Sequence, residues 1–176
     1  DKVLCKQILS YHRIATPRFA VFHRGKVIRP QPRLKYPLLV KSVIEESSLG
    51  ITRDSIVYSD AQLVERVLRV HEDLDTDALV EEFVEGREFY VGVIGNHRLQ
   101  TFPVWELLFR NLPEHIPNIA TARVKWDLDY QKELGVTTQA VTDLPAATMA
   151  RIARLCKRIY RVLYLSGYAR IDLRVT

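Results

Sequence analysis

The 176 residues suffice for one domain or two small lobes, and 47% hydrophobic with 27% charged residues is the balance of an ordinary globular protein. No run of about 18 apolar residues and no basic-apolar-small leader occurs, which argues against a membrane-spanning helix and a secretory signal and points to the cytoplasm. The formal charge of +5 calls for a polyanionic partner to be considered, although an excess of this size is equally that of a solvated surface.

Taken in order, the chain opens on a helix from Lys2 to His12, with Asp1 as its cap and Leu4, Cys5, Ile8 and Leu9 on one face. Thr16-Pro17 ends it. Arg18 to Phe22 reads as a strand, His23 to Tyr36 as a basic loop carrying prolines, and Pro37 to Lys41 as a buried strand. A polar loop with Ser47, Ser48 and Gly50 follows, then a return strand over Ser55 to Tyr58. Asp60 is expected to cap a helix to about Glu72, with Leu63, Val64, Val67 and Leu68 inward. Ala78 to Val84 and Arg87 to Ile94 read as strands joined tightly at Glu85-Gly86, and Gly95-Asn96 as a hairpin turn into Arg98 to Trp105. Leu112 to Ala120 is irregular, and Thr121 to Trp126 reads as a short strand. A long helix runs from about Pro145 to Leu165, Gly167 stops it, and Tyr168 to Val175 is the last strand.

Cys5 and Cys156 lie far apart on half-apolar helical stretches with no C-x-x-C pair, which predicts reduced core thiols. The histidines, at 12, 23, 71, 97 and 115, lack metal-ligand spacing. The chain starts at Asp1 rather than Met and stops inside a strand, so a portion of a longer protein is expected. Much of the positive charge (Arg151, Arg154, Lys157, Arg158, Arg161) rides the long helix opposite Met149, Ile152, Cys156, Ile159 and Leu163. That pattern favours a solvated helix face over a nucleic-acid patch.

Three stretches carry candidate chemistry. The strand ending in Lys41 delivers one ammonium to a loop with paired serines and a glycine, which suits phosphate oxygens and equally suits a solvated hairpin. In LVEEFVEGREF, Glu81, Glu82, Glu85 and Glu88 crowd around one turn, so their repulsion must be relieved by solvent, by basic neighbours or by a ligand. A base and ribose could be that ligand, with backbone groups of Glu82 to Val84 pairing the base and Glu88 accepting the ribose hydroxyls. The final strand alternates Ala169, Ile171, Leu173 and Val175 with Arg170, Asp172 and Arg174, so one face is apolar and the other ionic. Arg170 and Asp172, about 7 Å apart along such a strand, form either an exposed ion pair or a phosphate clamp beside a Mg²⁺ ligand.

With Asp1-Lys2 opening a helix, VKSVIEESSLGI, LVEEFVEGREF, VKWDLDY around Lys125 and GYARIDLRV in that order, the chain resembles the ATP-grasp superfamily, in its D-alanine-D-alanine ligase branch. The resemblance covers nearly the whole chain. It implies an α+β ATP-grasp fold with the nucleotide between two lobes, residues 1–84 forming the central lobe and 85–176 an incomplete C-terminal one. It implies that ATP phosphorylates a carboxylate and that an amine attacks the acylphosphate to give an amide. By the same resemblance Lys2 and Lys41 hold the phosphates, Lys125 reaches the transferred phosphate, and Ser47 and Ser48 lie in the lid. Glu81, Glu82, Phe83 and Val84 hold adenine, Glu88 the ribose, Arg170 faces the reacting group, and Asp172 binds Mg²⁺.

Two departures stand out: Glu46 replaces the glycine that precedes the lid serines in the family, and the Glu-x-Asn strand that supplies further metal ligands is not in the chain. The implied partners are a small-molecule carboxylate and amine, such as amino acids or peptides, with no membrane, with nucleic acid disfavoured and a homo-oligomer left open. The rival readings are an ATP-binding module without catalysis and a basic domain for anions or nucleic acid.

Overall fold

A computed structural model describes residues 1–45, 48, 50–113 and 116–176. Two antiparallel sheets, each covered on one face by an amphipathic helix, make up its frame. The first sheet contains β1 (Phe19–Phe22), β2 (Leu38–Ser42), β3 (Ile56–Val57) and β4 (Ala78–Glu82), in the order β1-β4-β2-β3. Strand alternation sends Ala20, Phe22, Leu38, Val40, Ala78 and Val80 to one face, where they pack on Leu63, Val67 and Val70 of α2 (Asp60–Asp73). The opposite face carries Phe19, Leu39, Lys41, Leu79 and Glu81.

The second sheet is built on β5 (Arg87–Ile94), which pairs along its whole length with β9 (Tyr168–Val175). Its other edge is shared by β6 (Gln100–Thr101) and β7 (Trp105–Phe109), and β8 (Val136–Ala140) lies beyond β7. Phe89, Val91, Val93 and Ile171 face Ile152, Cys156, Ile159 and Tyr160 of α5 (Ala146–Val162). Each such fully buried large apolar side chain is worth roughly 1.5–3 kcal/mol. The other face presents Glu88, Tyr90, Arg170, Asp172 and Arg174, the ionic side expected from the alternation of the last strand.

The first helix, α1 (Lys2–Tyr11), is capped by Asp1, whose Oδ1 accepts from Val3 N–H at 2.8 Å and Leu4 N–H at 3.1 Å. Its inward face differs from the expected one: Leu4 is exposed and Lys6 is buried. The cap of α2 is Ser59 rather than Asp60, because the Ser59 side chain accepts from Gln62 N–H. The expected return strand shortens to β3 because a 3-10 turn, Arg53–Ser55, occupies its start.

Residues 121–126 form a helix, α3 (Ala122–Trp126), and not a strand, since Thr121 Oγ1 caps Val124 N–H at 3.2 Å. Asp127 then caps α4 (Leu128–Glu133), and Val124, Tyr130 and Leu134 form a small core of their own. The strand expected over Arg98 to Trp105 divides into β6 and β7, with Pro103, which has no N–H to donate, between them. Gly95, at φ +117, makes the turn after β5, where a Cβ would meet Arg98 O at 2.1 Å. Cys156 is buried and Cys5 half-buried, both as free thiols. Among the described residues no helix is long and apolar enough to cross a membrane.

Candidate functional site

The face of the first sheet away from α2 concentrates its charge on one carboxylate. Glu81 on β4 lies opposite Leu39 and beside Lys41 of β2, and its Oε1 takes the Lys41 ammonium. Lys6, reaching down from α1, places its Nζ 2.7 Å from Glu81 Oε2. Burial pushes the Glu81 carboxyl up, but Lys41 and Lys6 outweigh it and hold the group below its ordinary value. Glu81 is therefore an ionised carboxylate with a cation on each oxygen.

Lys2, one helical turn before Lys6, donates to Ser42 O and Val43 O at 3.3 Å each and also to Glu45 O. It thereby anchors the segment that leaves β2. Ser42 is the buried hub of that segment: its Oγ accepts from Ile44 N–H at 3.2 Å, Glu45 N–H at 3.0 Å and Thr76 Oγ1 at 2.9 Å. Ser47 lies outside the described residues. Ser48 sits at φ +63 and donates its hydroxyl to Ala120 O at 2.8 Å, which links the loop to the start of α3.

Between the sheets runs residues 83–86. The N–H groups of Glu82 and Phe83 are taken by Arg18 O and Pro37 O, both at 2.9 Å, and the Glu82 side chain turns to accept from Lys35 N–H at 3.0 Å. Among the described residues the Val84 N–H meets no protein acceptor.

On the ionic face of the second sheet, Glu88 Oε1 accepts from Tyr90 Oη at 2.8 Å and Oε2 from Arg174 Nη2 at 2.7 Å. Burial, with Glu88 beside it, pushes the Tyr90 phenol up, so it remains a donor. Arg174 also donates to Gly86 O at 3.1 Å and Asn118 O at 2.8 Å, and its guanidinium lies 5.5 Å from the Phe83 ring centroid. One side chain thus joins the inter-sheet connection, both long strands and the 116–120 segment. Arg170 donates twice to Asp172, at 2.8 and 3.0 Å, and rests 4.6 Å from the Tyr90 ring centroid. That pairing raises the Arg170 pKa further.

The structure therefore brings Lys41 against Glu81, and Glu88, Arg170 and Asp172 onto one face. Lys125 stands exposed on α3, and among the described residues its ammonium joins none of the other candidates. No group of three or more His, Cys, Asp or Glu capable of holding a metal occurs among the described residues. The donor set fits Mg²⁺ only through Asp172 with phosphate oxygens and water completing the shell, an arrangement this hard cation commonly accepts. A cavity of about 630 Å³ lies away from all these residues, between Arg53, Tyr58, Arg66, Arg69 and Pro117. Its arginines have protein partners: Arg69 pairs with Glu65 on the cavity wall, Arg66 Nη2 donates to Ser55 and Arg53 to Tyr130.

Lys6, Ser42, Tyr90 and Arg174 belong to these networks but were not candidates from the sequence. The spacing of Lys2 and Lys6, four residues apart and hence on one helix face, was the available signal for Lys6. Arg174 was visible as the third member of the ionic alternation, without a role.

Comparison with known proteins identifies the family and the fold. The sequence profile of the family described as D-ala D-ala ligase C-terminus matches residues 8–176. A D-alanine–D-alanine ligase of Syntrophotalea carbinolica is 34% identical over 100% of the chain and 52% of its own length. That of Pediococcus pentosaceus is 31% identical over 98% of the chain and 44% of its own length. The chain thus spans about half the length of the curated relatives it matches. In structure it superposes on a D-alanine–D-alanine ligase of Bacillus anthracis solved with ATP, at TM-score 0.75 and 22% identity, over 100% of the chain and 50% of that one. The fold is accordingly the ATP-grasp fold, and the chain belongs to the D-ala D-ala ligase C-terminal family.

Proposed function

We propose that this chain is the nucleotide-binding part of an ATP-dependent carboxylate–amine ligase acting on small amino acids or peptides. The observation that carries the reading is the ammonium of Lys41, held on the face of the first sheet away from α2 by the buried carboxylate of Glu81, which stands two residues before the connection that leads to Glu88. The Val84 N–H in that connection suits a ring nitrogen of a purine. Glu88 suits the ribose hydroxyls, and Lys2 and Lys41 suit the polyphosphate. Residues 1–84 and 85–176 then act as two lobes around the nucleotide.

Chemically, the arrangement positions charge more than it supplies covalent help, which is what phosphoryl transfer asks of a protein. ATP would phosphorylate the substrate carboxylate, and the amine would attack the acylphosphate, forming the amide and releasing phosphate. In this reading Arg170 neutralises charge on the reacting group and Lys125 reaches the transferred phosphate. Mg²⁺, held by Asp172 and the phosphates, would screen the charge of the phosphate oxygens.

The test is ATP turnover by the full-length protein with a panel of amino acids and Mg²⁺, measured as ADP released and amide formed. Amide formation that is lost in Arg170→Ala and Lys41→Ala supports the reading. ATP binding without amide formation for any amino-acid pair would reduce the protein to a binding module.

A further inference from the structure

Lys6 is the most deeply buried cation of the site, with a side chain only 10% exposed, and lysine is rarely found in that position unless paired. Its ammonium is held on several sides: by Glu81 Oε2 at 2.7 Å, Thr16 Oγ1 at 2.8 Å, Pro17 O at 3.4 Å, and the Phe19 ring with its centroid at 5.2 Å. None of these partners is a second acid, so two ammonium groups share one carboxylate. The group as a whole carries one net positive charge.

That surplus decides what Lys41 can do. With Glu81 alone, Lys41 would form a neutral ion pair, and a polyphosphate would meet a dipole in place of a charge. With Lys6 on the other oxygen, Glu81 is already neutralised. The charge of Lys41, whose side chain is the more exposed of the two lysines at 18%, remains to be balanced from outside. Stability alone does not explain the arrangement, because apolar side chains of similar volume commonly stabilise a core as well as buried charges do.

We propose that Lys6 is a positioning residue of the phosphate site: it fixes the Glu81 carboxylate that orients Lys41 and cancels its charge, so that Lys41 meets the polyphosphate as a full cation. The inference rests on the reading of Lys41 as a phosphate ligand.

The experiment is calorimetric binding of ATP and adenosine to the full-length protein and its variants, with folding checked by thermal unfolding. Lys6→Met is expected to weaken ATP binding by about 10–100-fold, as loss of a charge-assisted contact does, while adenosine changes by no more than about twofold. Lys6→Arg, which keeps the charge, stays within about threefold of the wild type for ATP. The double variant Lys6→Met with Glu81→Gln restores the net positive charge by removing the carboxylate, and recovers at least about tenfold of the lost ATP affinity. A purely structural lysine would show no such recovery.

Unchanged ATP affinity in Lys6→Met overturns the proposal, and so does a double variant no better than the single one. If Lys6→Met does not fold, the double variant is compared with the wild type directly: ATP affinity within about tenfold of the wild type supports the proposal, and a larger loss overturns it. Unchanged ATP affinity in Lys41→Ala would instead overturn the phosphate reading itself, a separate result from either of these.

Discussion

Arg174 on β9 and Glu88 on β5 stand opposite one another in the antiparallel register, and Arg174 Nη2 donates to Glu88 Oε2 at 2.7 Å. Tyr90 takes the other oxygen. A ribose hydroxyl reaching Glu88 must therefore share the carboxylate with, or displace, a guanidinium that is also tied to Gly86, Asn118 and the Phe83 ring.

Two outcomes are expected at this pair. Glu88→Gln weakens adenosine binding by about tenfold and 2′,3′-dideoxyadenosine by about twofold at most, because only the former loses charge-assisted bonds. Arg174→Leu frees one carboxylate oxygen but also releases Gly86 and Asn118, so it is expected to favour adenosine relative to the dideoxy analogue, whatever it does to the two together. Equal effects on both nucleosides, read by calorimetry, would place Glu88 outside the ribose site.

Lys41→Ala separates phosphate from nucleoside recognition. ATP affinity is expected to fall by about 10–100-fold, the scale of one charge-assisted bond, and adenosine affinity to stay within about twofold. Equal losses for the two ligands would show that Lys41 acts on the fold of the sheet and not on the polyphosphate.

Acid stability follows from Glu81. Two lysines hold its folded-state pKa below the ordinary value of 4.5, against the opposing push of burial. The unfolded state therefore binds the proton more readily. The contribution is complete above the ordinary value and is lost as pH falls through the depressed one. Urea unfolding should show wild-type stability dropping more steeply below pH 4.5 than that of Glu81→Gln. At neutral pH Glu81→Gln should cost about 3–5 kcal/mol, because it leaves buried cations without their counter-charge. A variant with the wild-type acid limb would remove Glu81 from the account.

Burial pushes the Cys156 thiol up to about 11, so little thiolate is present at pH 8. Iodoacetamide is expected to label Cys156 more slowly than the half-buried Cys5, followed by mass spectrometry of the native protein. Cys156→Ser, which puts a hydroxyl among Phe89, Val91 and Ile159, should cost about 1–3 kcal/mol. Rapid labelling of Cys156 would mean that α5 opens readily from its sheet.

Local patterning in the sequence was sufficient for the elements whose side chains repeat. The stripe of Ile152, Cys156 and Ile159 specified α5, and the alternation of β9 separated its apolar face from Arg170, Asp172 and Arg174. Asp1 as a helix cap was legible because the capping oxygen lies within three residues of its donors. Residues 121–133 were misread or missed because Val124, Trp126 and Tyr130 suit strand or helix equally. The side-chain caps of Thr121 and Asp127 settled the matter.

Motif order made the family legible, and with it the identities of Lys41, Glu88, Arg170 and Asp172 as candidates. How those charges are partnered was decided only by the tertiary structure. Lys6 and Glu81 are 75 residues apart in the chain and meet because α1, packed against α5, lets the long Lys6 side chain reach β4. Arg174 reaches Glu88 because β9 pairs in register with β5 across an 86-residue separation. Sequence spacing fixes which side chains share a face of one element, whereas a buried charge takes whatever partner the packing of distant elements brings within about 3 Å, and no local pattern records that distance.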